Sequence, residues 1–399
     1  MHKRNWLIPS ALAAVALLSA GCGSGGGSTA DTTNTATGYF VDSGVEGVQF
    51  SSASGNGITA AQGAFTYTEG ETVTFAIGGL ELGSAPASSV ITPMELADDN
   101  NVDAPQVNNR VRLLMALDDD ANASNGIQIS EADRLKAEEN WTTPDFNVSE
   151  AAFAEALYVA MGSDAGSLSL PTAAEATTHL TSTLQCVYSG GFAGTWRLDD
   201  GSDGGSWGVI VFPDGKTVGG SAGADSFVNF SDGNRGLDKT IGLSGPLYDI
   251  NASGVAISTG ITITLSGTFS DTDHISGTFT GDNDSGISGT NSAHRVGGSQ
   301  TAMYRYTGYY YNDNGLTAGV FTMDIDGSGN VTGFRHDFEL DNEASMEGNV
   351  TGSTLNLLIG TTTVTGTIDL ANGTLTNVIW EDPADGSSGT ASGAGCKLN

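Results

Sequence analysis

Three regimes of hydrophobic patterning succeed one another along this chain. From Gly38 the sequence alternates apolar and polar residues with glycine punctuation, as in "GYFVDSGVEGVQFSS" and "GAFTYTEGETVTFAIGGLELG". A period of two between turn residues is the signature of short antiparallel strands. Phe65, Tyr67, Val73, Phe75 and Ile77 then fall on one face. Residues 38–106 therefore read as a β module. From Val107 the period becomes helical: "NNRVRLLMAL" places Val111, Leu114, Met115 and Leu117 in one apolar arc. "SEADRLKAEENW", "NVSEAAFAEALYVAM" and "AAEATTHLTSTLQ" obey the same rule, and Asn147 with Glu150 three residues on has the form of a capping box. Residues 107–185 are read as a helical segment that packs on the β module or links it to the C-terminal region.

From Val187 to the end, helix signals vanish and strands recur at about ten-residue spacing. The region 186–399 repeats itself, with halves at about 187–303 and 304–399. "FAGTWRLDDGSDGGSWGVIVFPDGKTVGG" matches "YTGYYYNDNGLTAGVFTMDIDGSGNVTGF", with Gly194 against Gly308 and Gly219 against Gly333, both 114 residues apart. "SGTFSDTDHISGTFTGDNDSGISGT" matches "TGTIDLANGTLTNVIWEDPADGSSGT" at an offset of about 99, so the first half carries an insertion of about fifteen residues within "SAGADSFVNFSDGNRGLDK". Four or five strands per half make a duplicated antiparallel meander. Such a sheet exposes its edges unless it closes as a barrel or a sandwich. The fold class expected is mainly β with a helical middle segment.

The amino terminus adds a destination. "MHKRNWLIPSALAAVALLSAGC" joins a basic start to an apolar run too short to span a membrane, which needs about 20 apolar residues. "LSAGC" resembles the lipobox of bacterial lipoproteins, although Ser19 stands where leucine is most usual. The resemblance implies a signal peptide over residues 1–21, cleavage before Cys22, a palmitate-type lipid on that cysteine, and anchoring in a membrane. Gly23, in place of Asp, favours the outer membrane. The run after Cys22, to residue 37, has almost nothing to bury and reads as a flexible tether. With Cys22 lipidated, Cys186 and Cys396 remain in a compartment where disulfides persist, and they are expected to pair and close the C-terminal region into one loop. "VDSGVEGVQF", "GAFTYTEGETVTFAIGGLELG" and "ITPMEL" resemble the amino-terminal module of a group of uncharacterised proteobacterial surface lipoproteins. That resemblance implies a small β-sandwich and brings no activity with it.

Charge then excludes one class of partner. The net charge of -32 becomes -34 once Lys3 and Arg4 are cleaved away, and a surface that acidic repels phosphate backbones, so nucleic acid is not a partner. Many carboxylates raise the question of calcium. "DANASNGIQISE" resembles the EF-hand loop: Asp120, Asn122 and Ser124 stand at the first, third and fifth places, the Gly126 carbonyl at the seventh and Glu131 at the twelfth. Asn125 departs from it, standing where glycine makes the sharp turn. "DIDGSGNVTG" and "GDNDSGISG" space aspartates in the same way but read as hairpin turns.

No enzyme signature stands out. "GGSWG" and "GGSAG" fit G-x-S-x-G around Ser206 and Ser221, yet no helix pattern comes after either serine. The histidines have no zinc spacing, and His336 reads as a partly exposed strand residue. "YRYTGYYY", together with Trp196 of the first half, offers aromatics to both faces of a strand. Tyr304, Tyr306 and Trp196 are the candidate ligand-binding residues. "GTW" at 194–196 also resembles the start of the lipocalin barrel. The sequence thus supports a lipid-anchored, non-catalytic envelope protein with a binding, adhesion or structural role and an envelope protein as partner. The alternative is a carrier of a lipid or other small apolar ligand in a lipocalin-like C-terminal barrel.

Overall fold

The computed structural model describes residues 35–97, 99, 101–223, 226–230, 232–251, 256–297, 302–313, 317–337 and 342–398. Cys22 and the tether up to residue 34 lie outside the described residues. Eight short strands open the chain: β1 (Thr35–Phe40), β2 (Val45–Glu46), β3 (Gln49–Ser51), β4 (Asn56–Ile58), β5 (Ala64–Thr68), β6 (Thr72–Ile77), β7 (Leu80–Pro86) and β8 (Val90–Ile91). Seven of them form one sheet in the order β5-β1-β8 and another in the order β4-β3-β6-β7. The alternation explains the pairing of layers, because Phe65, Tyr67, Val73, Phe75 and Ile77 are all buried between them. Phe75 is the centre, stacked on Phe40 at 4.6 Å and met edge-on by Phe65 at 5.1 Å.

The helical segment holds α1 (Pro105–Ala116), the two-residue β9 (Ile127–Gln128), α2 (Glu131–Asn140), α3 (Glu150–Met161) and α4 (Ala173–Val187). Val111, Leu114 and Leu117 enter the core as the apolar arc requires. β9 pairs in parallel with β2, tying the connection between α1 and α2 to the sheet module. The capping box sits one helix later than the sequence suggested. Ser149, and not Asn147, precedes α3, and Glu150 reaches across to accept the Ala173 N–H at the start of α4 at 2.7 Å. The reciprocal box forms there instead, between Thr172 and Glu175.

The first repeat runs β10 (Gly190–Leu198), β11 (Gly204–Val211), β12 (Thr217–Ala222), β13 (Ser226–Phe230), β14 (Asp232–Arg235), β15 (Thr240–Ile250), β16 (Ala256–Phe269), β17 (His274–Gly281) and β18 (Ser288–Arg295). The second runs β19 (Tyr304–Asn312), β20 (Thr317–Ile325), β21 (Asn330–Asp337), β22 (Asn342–Thr351), β23 (Thr354–Ile359), β24 (Thr362–Asp369), β25 (Thr374–Asp382) and β26 (Ser387–Lys397). Each half closes on itself. β18 returns to β10 in the first, and β26 to β19 in the second. The four or five strands expected per half were too few, since about eight antiparallel strands are what a filled barrel needs. The insertion in the first half divides one strand position in two, because β13 and β14 both pair with β15.

The barrels abut along the outer faces of β10, β11, β19 and β20. Ala193, Ile210, Val296 and Val320 form the seam, Phe212 meets Tyr309 edge-on at 6.3 Å, and the Gly191 N–H donates to Thr322 Oγ1 at 2.7 Å. His336 stands opposite Val320 in the β20–β21 ladder and is buried, not partly exposed as its strand position suggested, because that face turns toward the seam.

The end of α4 joins all parts. Cys186 and Cys396 form a disulfide with Cα atoms 5.7 Å apart, fixing the helix to the last strand of the second barrel. The Val187 carbonyl accepts from Arg295 Nη2 at 2.9 Å and from Arg305 Nη1 at 3.5 Å, one arginine from each barrel. Both are buried and paired, Arg295 with Asp273 at 2.9 Å and Arg305 with Asp324 at 3.1 Å. Burial, then the neighbouring charge of Arg305, lowers the Arg295 pKa to about 10. The helix C-terminus, whose carbonyls carry partial negative charge, is a suitable anchor for both.

Candidate functional site

The second barrel is closed at one end and hollow above it. Interior positions alternate along every strand, so Tyr306, Gly308 and Tyr310 of β19 face inward while Arg305, Thr307 and Tyr309 face outward. Tyr306 closes the lower end. Its hydroxyl donates to the Asp369 carbonyl at 2.8 Å, and its ring lies flat on Gly395, where a Cβ would stand 2.6 Å from the ring carbons. Ile325, Val331 and Ile368 fill the space beside it.

Above this floor lies a cavity of about 410 Å³, within the range of small-molecule sites. Phe321, Met323, Met346, Leu357, Val364 and Val378 make its walls. The rim is polar. Arg335 Nη1 donates to the Tyr310 hydroxyl at 3.1 Å and to Asp337 Oδ2 at 3.4 Å, and Tyr310 donates to the same carboxylate oxygen at 3.1 Å. Burial, and then the charge of Asp337, raises the Tyr310 hydroxyl pKa, so it stays protonated as a donor. Trp380 stands edge-on to Tyr310 at 6.4 Å, with its indole N–H fixed on the Tyr311 carbonyl at 2.8 Å. Asp382 and Asp385 complete the rim on the side of β25.

The residues predicted from the aromatic pattern part company here. Trp196 belongs to the first barrel, where it packs edge-on to Phe279 at 5.9 Å and donates to the Ala222 carbonyl at 3.2 Å. Tyr306 forms the floor under the cavity, and Tyr304 lies half-buried beyond it. The lining residue from that tyrosine run is Tyr310, which the sequence left to serve either face. Arg335, Asp337, Asp382 and Asp385 were missed, since they span 50 residues of sequence and only the inward alternation of β21 and β25, with the turn after β25, brings them to one rim. The signal that existed was internal. Tyr310 is the counterpart of Trp196 in the repeat, and Phe321 of Trp207, with matching partners across the first two strands of each barrel.

The EF-hand-like loop gathers part of its set. Asp120 accepts from the Asn122 N–H at 2.9 Å and from Asn125 Nδ2 at 2.9 Å, and Ser124 Oγ donates to Asn122 Oδ1 at 2.7 Å. Asp118 accepts from the N–H groups of Asn122 and Gln128. The carboxylates of Asp118, Asp119 and Asp120 lie within 4.8 Å of one another and are the groups there that could hold a cation. Glu131 is not among them; it is exposed in the first turn of α2. The left-handed positions of the loop are Ala121 and Gly126, not Asn125, so its path differs from the EF-hand turn. Ser206 and Ser221 sit in strands β11 and β12 with no helix after either. Near this loop the sequence also gave no warning of a close contact between a partly buried histidine and a buried carboxylate: His179 Nε2 lies 3.2 Å from Asp42 Oδ1.

No helix among the described residues is long and apolar enough to cross a membrane. No family model matches the chain, and no curated protein matches it. Solved structures to which it is similar include a mutant of transferrin binding protein B from Haemophilus parasuis Hp5, at 9% identity over 52% of this chain and 76% of that chain with a TM-score of 0.18. Intact Ap-TbpB, with N and C lobes, gives 10%, 52%, 77% and 0.18, and a protein of unknown function of the DUF3598 family from Nostoc punctiforme gives 10%, 54%, 98% and 0.14. Likeness this loose assigns no ligand and no partner to this chain.

Proposed function

We propose that this protein is a non-catalytic binding lipoprotein of the bacterial envelope whose second barrel carries a small apolar ligand. The observation that supports the reading is the 410 Å³ cavity, walled by aliphatic and aromatic side chains and open only past a polar rim. A purely structural or adhesive role gives no reason to leave a barrel interior unfilled, because burying apolar side chains against one another is what stabilises such a core. The remaining parts hold this cup in place: the sheet module and helices carry it, and the lipid expected on Cys22 keeps it at the membrane, with the outer membrane as the proposed site.

The test uses the soluble mature chain and N-phenyl-1-naphthylamine, a neutral apolar fluorophore. Saturable fluorescence enhancement at one site is expected, and Leu357→Trp, which fills the cavity, should abolish it while circular dichroism stays unchanged. Enhancement that survives Leu357→Trp would place the probe elsewhere and remove the support for a carrier. Labelled palmitate should enter the full chain and be lost in Cys22→Ala; unchanged labelling would refute the anchor.

A further inference from the structure

The rim of the second barrel differs in kind from the same rim in the first. Ser221 and Gly223 stand in the first repeat where Arg335 and Asp337 stand in the second. Phe279 and Trp380 face equivalent glycines, Gly289 and Gly389, which places Gly281 at the position of Asp382. Rim charge is therefore a property of the hollow barrel and is absent at these positions of its repeat.

These charges are unbalanced. One guanidinium, that of Arg335, faces Asp337, Asp382 and Asp385. Arg335 is already engaged, bonded to Tyr310 and Asp337 and lying over the Tyr310 ring at 5.8 Å. The hydrogen-bond partners of the other two carboxylates among the described residues are neutral, and Arg335 adds only a weaker electrostatic pull on Asp382. Asp382 accepts from Thr361, Thr362 and the Ala384 N–H, and Asp385 from the Ser387 N–H. The Ala384 N–H, then Thr362, holds Asp382 below its ordinary pKa, and the Ser387 hydroxyl does the same for Asp385, so both remain ionised in mild acid. Beside them the Tyr310–Trp380 pair offers the kind of aromatic corner that attracts ammonium groups.

We propose, on the reading that this cavity holds an apolar ligand, that the ligand carries a cationic head, an alkylammonium or quaternary ammonium group, seated between Asp382, Asp385 and the Tyr310–Trp380 corner. The apolar body points down among Phe321, Met346 and Val378. An anionic head in the same place would meet three carboxylates against one engaged guanidinium.

The experiment displaces N-phenyl-1-naphthylamine from the mature chain with three amphiphiles of equal chain length, each below its aggregation concentration: dodecyltrimethylammonium, dodecanol and dodecanoate. The cation should displace the probe at about one-tenth the concentration of either competitor, and the Asp382→Asn, Asp385→Asn double variant should erase that advantage while keeping probe binding. The variant separates the rim from the surface at large, because it alters the mature chain's net charge of -34 by only two. Equal or better displacement by dodecanoate, or a cation advantage that persists in the variant, overturns the head-group assignment and leaves the apolar carrier standing. A wild-type chain that binds no probe overturns both.

Discussion

Two barrels built on one repeat share a register and differ in their interiors. Trp207 and Phe192, with Phe269 across the barrel, are fully or nearly fully buried in the first, where the Trp207 indole donates to the Ser292 carbonyl at 2.9 Å. Tyr188, from the turn after α4, meets Phe269 edge-on at 5.1 Å. The second barrel has Phe321 for Trp207, Tyr306 for Phe192 and Ile368 near the place of Phe269, and it keeps a 410 Å³ cavity. Closure around smaller side chains at two of these three positions leaves a hole. The difference shows that the eight-stranded ring tolerates either a packed or a hollow interior when its ladder of hydrogen bonds is complete. It also marks the rim, because Arg335, Asp337 and Asp382 of the hollow copy stand where the packed copy has Ser221, Gly223 and Gly281.

The largest expected effect concerns how the two copies are held. The first barrel comes directly after α4 along the chain, whereas the second is fastened to that helix by Cys186–Cys396, which closes a loop of 210 residues. Replacing both cysteines with serine should cost about 5 kcal/mol by the chain-entropy model. Hydrogen exchange should rise more in β19–β26 than in β10–β18. Equal loss of protection in both barrels would show that the disulfide serves the whole C-terminal region alike.

A smaller effect separates the interiors directly. Val209→Phe adds volume to the packed barrel and should cost about 1–3 kcal/mol, while Val378→Phe in the hollow one should cost under about 1 kcal/mol, because the ring enters existing space. Urea denaturation of both variants measures this, and equal penalties would mean that the two interiors have the same free space.

The smallest effect lies outside both barrels and serves as their control. Burial alone would lower the His179 pKa, but the Asp42 carboxylate, with Asp118 adding to it, raises it above 6.5. A raised folded-state pKa gives stability that is fully present below 6.5 and is lost as pH rises through the folded value. The melting temperature should therefore fall from pH 6 to pH 8.5, and His179→Gln should flatten that slope without changing probe binding in the second barrel. A wild-type slope retained by the variant would assign the pH dependence to another group.

Much of this architecture was legible in the residues. Period-two and helical runs gave the order of elements, the offset of 114 residues gave the duplication, and removing Cys22 from the count gave the disulfide. Closure was harder to read, since a strand pattern records which face is buried and not which strands meet at the edges. The site was harder still. Asp382 accepts from Thr362 and lines the same cavity as Tyr310, an arrangement that draws on three strands and leaves no local signature. Tyr306 and Trp196 were attractive as aromatics, yet one is a floor and the other packs in the filled barrel, because bulky rings serve cores as readily as ligands.

The central claim is that the second barrel is hollow for a ligand and the first is not. Crystals of the mature chain grown with 1-bromododecane put it to the most direct test, through the anomalous signal of bromine. One bromine peak is expected inside the second barrel, between the Phe321 and Val378 walls and the Tyr310–Trp380 rim, and none inside the first. Bromine in the first barrel, or a second barrel whose walls have collapsed onto one another with no alkane inside, would contradict the claim.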